Sequence, residues 1–336
     1  MKASTSRWLA LSGAALLAAV LFLLATLPSN DYLFVPNGAH AIAGKVAVQG
    51  KDAPEGSGGI YYVDVTVRKV RWIERLLPFT RPDGSSLVPP QAVTAPGESF
   101  SERVIEARAE MQRSEQIAAA VALEAGGLDV ETTPRGVLVE AVAVDVPAAK
   151  TLASGDLIVA VDGRKVTTVE QLLRATQAVR PGDKLRLRLR RDDKVVERTV
   201  ATVAAPDDAK RAIIGIRVSQ DAKIKLPLKV DIDLGNVGGP SAGLPFALQI
   251  YKELGHDVAR GRRVAATGEI ELDGSIEPVG GIKQKTYGVR SAGADVFLVP
   301  AGENAATARR YAGGLRVIPV ESFEQALRAL RTLPQK

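Results

Sequence analysis

A serine in a glycine-rich turn is the first residue in this sequence of 336 amino acids whose setting suits covalent chemistry. Ser241 lies in the stretch 235–244, after an alternating apolar run and before a run with apolar residues at helical spacing. A serine at a helix N-terminus has free N–H groups beside it that can bind an oxyanion. The same position also suits a serine that only caps the helix, so the turn alone leaves both interpretations open.

A nucleophilic serine needs a base at neutral pH. The sequence has two histidines, His40 and His256. His256 follows the helix predicted to begin at Ser241, which puts it about 20 Å away along the helix axis, so we do not expect a Ser-His-Asp triad. A lysine can serve instead if burial and neighbouring groups lower its pKa toward neutrality. The S-x-x-K spacing of β-lactamases does not occur at Ser241, so this lysine must come from elsewhere in the chain.

Three motifs, in this order, resemble the proteolytic domain of the Lon family: Gly239-Pro240-Ser241-Ala242-Gly243, Thr267-Gly268-Glu269, and Gly280-Gly281 followed by Lys285. The Lon family uses a serine–lysine dyad. The resemblance therefore implies that Ser241 is the nucleophile and Lys285 the base, with the Thr267 hydroxyl helping to orient the lysine. Lys283, two residues earlier, is assigned to solvent.

The resemblance has two departures. Many Lon proteases carry an acidic residue three positions before the serine, where this sequence has Gly238. No G-x-x-x-x-G-K-[ST] motif occurs, so we expect proteolysis without an ATP-driven unfoldase in the same chain.

Composition excludes several other functions. There is no cysteine, which removes disulfides, thiolate nucleophiles and cysteine-bound metals. Two distant histidines without an HExxH pattern make a zinc site unexpected, and no cofactor is predicted. The net charge of +6 is spread along the chain and aromatic residues make up 4%, so nucleic-acid binding is not expected.

The N-terminal stretch predicts a membrane anchor. Residues 8–27 are apolar over about the length that spans a bilayer. Lys2 and Arg7 precede this run, which predicts a cytoplasmic N-terminus and an extracytoplasmic remainder. The alternative is a cleaved signal peptide, with the small-residue pattern Ala39-His40-Ala41 lying rather far from the apolar run.

Residues 31–126 show no catalytic signature. An alternating strand is predicted at 59–72 and a helix at 101–125, with Ser101 as its cap. Prolines at 79–99 indicate an extended connection between them. We expect this region to serve for spacing and packing.

Residues 128–204 read as one compact unit: Gly136-Val137-Leu138-Val139, then a strand ending at Asp162-Gly163, a helix at 169–179 and a hairpin. This order resembles the PDZ domains of bacterial envelope proteases. The resemblance implies a groove between the strand 136–139 and the helix, where an extended peptide adds as a further strand. Arg135 lies in the loop expected to receive a carboxylate. The alternative is a PDZ fold that only packs against its neighbour.

The sequence thus predicts an α+β multidomain protein. Its predicted parts are a cytoplasmic N-terminus and transmembrane helix (1–30), an extracytoplasmic packing region (31–126), a PDZ domain (127–205) and a Lon-type proteolytic α/β domain (206–336). The predicted function is an ATP-independent serine endopeptidase that acts on unfolded or flexible polypeptides and forms a possible homo-oligomer. The alternative function is a non-catalytic envelope scaffold that holds peptides in its PDZ groove.

Overall fold

The structure is a computed structural model. It describes residues 2–54, 58–94, 99–191, 194–235 and 237–336, with side chains from residue 11 onward. Asn236, in the predicted serine turn, therefore lies outside the described residues.

The described chain forms α-helices, β-strands and short 3₁₀ helices. The α-helices are α1 (Lys2–Thr26), α2 (Trp72–Leu76), α3 (Phe100–Ala125), α4 (Val169–Gln177), α5 (Gly243–Glu253), α6 (Ile282–Ser291), α7 (Glu303–Tyr311) and α8 (Phe323–Arg331). The strands are β1 (Pro28–Ala41), β2 (Val46–Val48), β3 (Gly59–Arg71), β4 (Ser86–Val88), β5 (Glu131–Val142), β6 (Leu157–Val161), β7 (Arg164–Lys165), β8 (Lys184–Arg191), β9 (Lys194–Ala201), β10 (Val203–Ala204), β11 (Ala212–Ile213), β12 (Ile216–Lys225), β13 (Val230–Ile232), β14 (Arg263–Ala266), β15 (Glu269–Ile270), β16 (Ile276–Glu277), β17 (Val296–Pro300) and β18 (Arg316–Val320). The 3₁₀ helices are Pro78–Thr80, Pro90–Ala92, Pro147–Lys150 and Pro240–Ala242.

The chain divides into two compact units, and one is inserted into the other. Residues 1–127 and 228–336 form the first unit, and residues 128–227 form the second. Residues 31–126, predicted as a separate packing region, therefore share a unit with the C-terminal part of the chain. The physical reason is sheet pairing, because β3 lies parallel to β14 in one sheet.

The first unit is built on a six-stranded mixed sheet in the order β18-β17-β14-β3-β1-β4. The pairs from β18 to β3 are parallel, and β1 pairs antiparallel with both β3 and β4. The N-terminal segment thus supplies one half of the sheet and the C-terminal segment the other. The two halves meet where β3 pairs with β14. Neither half forms the sheet or buries its apolar surface without the other.

Helices pack on this sheet and hold the motifs predicted to be catalytic. α6 and α7 pack on an apolar cluster that includes Val63, Ala265, Phe297 and Val299. α5 contacts β3 and β14 and is buried along most of its length, with α3 packed against it. The N-terminus of α3 is capped by Ser99, not by Ser101 as predicted, because Ser99 forms a capping box with Glu102.

The predicted anchor, residues 8–27, coincides with most of α1. The structure does not describe the side chains of residues 8–10. Over the part of the chain that the structure describes, no helix is long and apolar enough to cross a bilayer. The prediction of a transmembrane helix is therefore not supported.

The second unit is an antiparallel sheet in the order β12-β5-β6-β8-β9, with β7 paired to β6 and α4 packed beside it. Its core includes Val137, Ile158, Leu172 and Leu187. The sequence placed the start of β12 in the proteolytic domain, but β12 pairs with β5 along its whole length. An alternating pattern predicts a strand without naming its partner, which is why the position of β12 was missed.

The prediction that a peptide binds along β5 is also wrong, because the sequence did not show that β12 pairs with β5. Leu138 pairs with Ser219 of β12 on one side and with Leu157 of β6 on the other, so both edges of β5 are taken here. Arg135, expected to meet a carboxylate, already forms a bidentate ion pair with Asp221 at 2.9 and 3.0 Å.

Candidate active site

The turn that carries Ser241 is held by α3. Ser241 is the middle residue of the 3₁₀ helix Pro240–Ala242, which runs directly into α5. The Gly239 N–H donates to the Ala107 carbonyl oxygen at 2.7 Å, and the buried Ser114 hydroxyl donates to the Pro240 carbonyl oxygen at 3.0 Å. Both partners come from a helix more than a hundred residues earlier in the chain. The turn is therefore fixed by tertiary contacts at the two residues directly before the serine.

Two glycines in this turn are required by the same close packing. A Cβ at Gly243 would lie 2.9 Å from the Ser114 hydroxyl and 2.8 Å from Ile270 Cγ2. A Cβ at Gly238 would lie 3.1 Å from Ala107 Cβ. The acidic residue that many Lon proteases carry at the position of Gly238 would press against α3 here. This contact gives a structural reason for the departure seen in the sequence.

Lys285 is placed by α6 on the N-terminal strands. The helix begins after Gly281, where a Cβ would lie 2.8 Å from Val65 of β3. One turn beyond the lysine, a Cβ at Gly288 would overlap the carbonyl oxygen of Asn37 in β1. α6 thus lies as close to the sheet as its backbone allows, and Lys285 is left only 4% exposed.

Thr267 connects Lys285 to the serine turn. The Lys285 ammonium or amine nitrogen donates to the Thr267 hydroxyl oxygen at 3.0 Å. That hydroxyl donates in turn to the Ser241 carbonyl oxygen at 3.1 Å, and the Gly268 N–H donates to the same carbonyl at 2.9 Å. The fully buried Thr267 side chain is therefore the contact through which the structure brings Ser241 and Lys285 to one site. The sequence-derived expectation for Thr267 matches this geometry.

The environment of Lys285 suits a general base. Burial lowers the pKa of its amine from 10.5 to about 7, because desolvation disfavours the charged form. The negative charge of Asp64 opposes this effect and raises the pKa. A base with a pKa near the working pH is half neutral there and can accept a proton.

Among the described residues, no hydrogen bond joins the Ser241 hydroxyl to the Lys285 nitrogen. The directions of the bonds at Thr267 nevertheless leave the lysine available. Since the Thr267 hydroxyl gives its hydrogen to the Ser241 carbonyl, Lys285 must act as donor toward Thr267. A neutral amine that donates one hydrogen still has its lone pair, which is free to accept from the serine hydroxyl.

Asp64 is the residue near this site that sequence reasoning missed. It lies on β3, accepts a hydrogen bond from Asn37 Nδ2 at 3.1 Å, and lies 3.4 Å from His40 Nε2. The oxygen that faces His40, Oδ1, is buried and accepts no hydrogen bond from the described residues. In the sequence, Asp64 is one charged residue in an alternating strand, a pattern that normally marks a solvated face. The packing of α6 on β1 and β3 brings it toward the lysine.

Lys283 is not in open solvent as predicted. It is half-buried and donates to the Ser85 carbonyl at 3.0 Å and to the Ser86 hydroxyl at 3.3 Å. These contacts direct its side chain to the segment before β4, whereas Lys285 reaches Thr267. The two lysines of α6 therefore point to different partners, and only Lys285 meets the serine turn. The chemistry available to a hydroxyl, a buried amine and backbone groups is acyl transfer, which needs no metal.

Two protein families match consecutive parts of the chain. Residues 124–202 match the PDZ domain, and residues 201–332 match the Lon protease C-terminal proteolytic domain. The second match leaves out β1, β3 and α3, although these belong to the same compact unit. The chain thus contains PDZ and Lon-type proteolytic domains in an α+β arrangement.

Curated relatives agree with the second match. Lon protease 2 of Bacillus subtilis (strain 168) is 33% identical over 107 residues, which is 32% of this chain and 18% of that protein. The Lon protease of Heliobacterium modesticaldum is 38% identical over 94 residues, 27% of this chain and 11% of that protein. The chain thus spans less than a fifth of the length of these relatives.

A solved structure is similar to the PDZ part of the chain. The PDZ domain of the SdrC-like protein from Listeria monocytogenes is 29% identical, with 26% of this chain and 90% of that chain covered and a TM-score of 0.24. The domain matches and the Lon protease relatives together support a serine-type peptidase.

Proposed function

We propose that this protein is an ATP-independent serine endopeptidase with Ser241 as nucleophile and Lys285 as general base. The observation that carries the proposal is a lysine almost fully buried, with its pKa lowered to about 7, hydrogen-bonded through Thr267 to the turn that holds the serine. Burial of an amine is unfavourable for stability, so its presence at this position favours a chemical role.

In the proposed reaction, neutral Lys285 accepts the Ser241 hydroxyl proton while the serine oxygen attacks the scissile carbonyl. The tetrahedral intermediate carries a negative oxygen, which N–H groups of the 3₁₀ turn stabilise. The Ser241 N–H suits this role, since an N–H in the first turn of a helix has no partner within that helix. Protonated Lys285 then gives its proton to the departing amine, and water releases the acyl group by the reverse sequence of proton transfers.

Thr267 fixes the lysine in one orientation for these steps. Its hydroxyl is held by the Ser241 carbonyl and accepts one hydrogen from Lys285. The neutral amine keeps a lone pair that this hydrogen bond does not use, and in the proposed reaction that lone pair accepts the Ser241 proton.

We further propose that the PDZ unit binds flexible polypeptide substrates along β12. β12 is one edge of its sheet, and α4 lies beside it. The Gln220 side chain joins the two elements, because its Oε1 accepts from the Val169 N–H at 3.2 Å and its Nε2 donates to the Thr167 carbonyl at 2.8 Å. A free edge strand next to a helix can accept an extended peptide as an added strand.

This groove is tested by hydrogen exchange with and without an unstructured peptide. Slower exchange at β12 with unchanged exchange at β9, the other edge of the same sheet, supports the proposal. Protection at β9, or at neither edge, contradicts it.

The location of the protein outside the cytoplasm also stays a proposal, supported by Lys2 and Arg7 before the apolar run. A C-terminal alkaline phosphatase fusion tests it, since this reporter is active only outside the cytoplasm. Assembly into a homo-oligomer is tested separately by sizing the purified protein.

Cleavage of casein without ATP tests the proposed peptidase. The wild type should degrade casein, and Ser241→Ala should lower the rate by about 10³-fold or more because the nucleophile is lost. Ser114→Ala is an instructive companion, because it removes only a hydroxyl that holds the turn and should leave measurable activity. Equal cleavage by wild type and Ser241→Ala would contradict the mechanism. Failure of the wild type to react with a fluorophosphonate probe at Ser241 would favour the scaffold alternative.

A further inference from the structure

A short segment after β3 exposes an unusual set of large apolar side chains. In α2 and the 3₁₀ helix that follows, Phe79 is 81% exposed, Leu76 58% and Trp72 40%. Leu77 next to them and Leu27 at the end of α1 are exposed as well. We call Leu27, Trp72, Leu76, Leu77 and Phe79 the apolar foot. Single exposed apolar residues are ordinary, but a group of this size marks an interaction surface.

The segment that carries the foot is held by Glu74 of α2, which faces inward. Glu74 is buried and accepts two hydrogen bonds from the Arg68 guanidinium, at 2.8 and 2.5 Å. It also accepts from the Arg71 N–H at 2.9 Å, and its own carbonyl accepts from Arg81 Nε at 2.6 Å. The hydrogen bond from Arg68 lowers the pKa of the Glu74 carboxyl, so this anchor stays charged and paired. The hydrogen bonds of Glu74 thus hold the backbone of this segment while its apolar side chains stay exposed to solvent.

The charge on the outer side of the foot is basic. Lys69, Arg71 and Arg75 are exposed around it, with Arg75 in an ion pair with Asp31, while Glu74 is buried. The Arg75 guanidinium also lies over the Trp72 ring, 5.7 Å from its centroid. Exposed tryptophan, phenylalanine and leucine next to arginine and lysine is the composition of surfaces that enter the headgroup region of a bilayer.

The foot is continuous with α1. α1 contacts α2, and the Trp72 N–H donates to the Leu27 carbonyl at 3.2 Å. Leu23 and Phe22, in the last turns of α1, are exposed like the foot itself. Exposed apolar side chains therefore occur on both sides of the junction between α1 and the foot, with the exposed Thr26 between them.

We propose that the apolar foot is a docking surface for an anionic phospholipid bilayer. Trp72, Leu76 and Phe79 enter the interface between headgroups and acyl chains, and Arg71 contacts lipid phosphates. This contact holds the first unit against the membrane surface, whatever the path of α1. It is independent of the peptidase proposal, and either can fail without the other.

Trp72 supplies the probe that tests this contact. The chain has two tryptophans, so Trp8→Phe leaves Trp72 as the sole emitter. The full-length protein is mixed with phosphatidylcholine vesicles that contain about 30% phosphatidylglycerol and brominated acyl chains. We expect Trp72 emission to shift to shorter wavelength and to be quenched by bromine, with weaker quenching on vesicles of phosphatidylcholine alone. Unquenched, water-like emission from Trp72 on both vesicles would overturn the proposal.

Substitutions within the foot separate its contribution from that of α1. Leu76→Ser and Phe79→Ser, made singly in the Trp8→Phe protein, should each lower the fraction of quenched Trp72 severalfold. Arg71→Gln should weaken binding about fivefold on anionic vesicles only. Val195→Ser is the matched control, because Val195 is similarly exposed on the second unit. Quenching that survives both foot substitutions shows that α1 alone brings the protein to lipid and contradicts the proposal. So does a blue shift of Trp72 that depends on protein concentration without vesicles, since a second copy would then cover the foot.

Discussion

The two segments that build the first unit differ in what their sequences reveal. The C-terminal segment, 228–336, carries Ser241, Thr267 and Lys285, each within a motif. The N-terminal segment carries no motif, yet its residues hold the turn that carries Ser241 and the helix that carries Lys285. α3 fixes the serine turn through Ala107 and Ser114. Strands β1 and β3 seat α6 and bring a carboxylate toward the lysine.

The difference follows from what each segment must supply. Reacting atoms require particular residue types, so the segment that contains them has a recognisable pattern. Holding them requires a backbone carbonyl, a small contact surface or one hydroxyl, and many residues provide these. A segment can therefore be half of an active site without a catalytic signature.

The largest effect is expected at Lys285, in the motif-bearing segment. Lys285→Met should lower peptidase activity by about 10³-fold or more, because no base remains. The same change should stabilise the protein, since an amine whose pKa falls from 10.5 to about 7 on folding destabilises the native state. At about 1.4 kcal/mol per pKa unit, the gain in unfolding free energy at pH 7 is roughly 5 kcal/mol.

The pH dependence of the stability difference between wild type and Lys285→Met provides the control. Between pH 7 and 10.5 the unfolded chain binds the extra proton, so the stability of the wild type rises with pH in this window. Urea unfolding of both proteins across the window should show the advantage of Lys285→Met shrinking as pH rises. An advantage that does not change with pH would mean that the amine is not desolvated.

The next effect is expected where the motif-free segment seats α6. Gly288→Ala places a methyl group on the Asn37 carbonyl oxygen and must push α6 away from β1. We expect a loss of about 1–3 kcal/mol in unfolding free energy, with a fall in activity as Lys285 moves. Gly280→Ala is the matched control, because a Cβ there has nothing within 4 Å. Equal stability of the two variants would contradict the close seating of α6.

A smaller effect is expected at Asp64, again in the motif-free segment. Its charge raises the pKa of Lys285, so Asp64→Asn should lower that pKa further. The acid limb of the kcat/KM profile should then move to lower pH. Asp52→Asn, at an exposed carboxylate, controls for general charge effects. If the acid limb moves equally in both variants, Asp64 has no specific effect on the pKa of Lys285.

The smallest effect is expected at Lys283. Lys283→Ala removes hydrogen bonds to Ser85 and Ser86 but nothing that touches Thr267. Stability should fall by about 1 kcal/mol or less, and kcat/KM should stay within about twofold of the wild type. An inactive Lys283→Ala variant beside an active Lys285→Ala variant would reverse the assignment of the base.

Sequence reasoning predicted the contact between Thr267 and Lys285, and it proposed Ser241 and Lys285 as the reacting residues because their types and order are constrained by chemistry. It could not predict Ser114 or Asp64, since their roles arise from contacts between strands and helices far apart in the chain. The predicted boundary at residue 206 lies close to residue 201, where the match to the Lon proteolytic domain begins. The sequence did not predict that β12 pairs with β5, because this pairing depends on the return path of the chain.

The central claim is tested most directly by the rate at which a fluorophosphonate acylates Ser241 as a function of pH. We expect the wild-type rate to rise through an inflection near pH 7, where Lys285 loses its proton. Labelling should be absent in Ser241→Ala and slowed by orders of magnitude in Lys285→Ala. An inflection near pH 7 that persists unchanged in Lys285→Ala would show that another group activates the serine and would contradict the account.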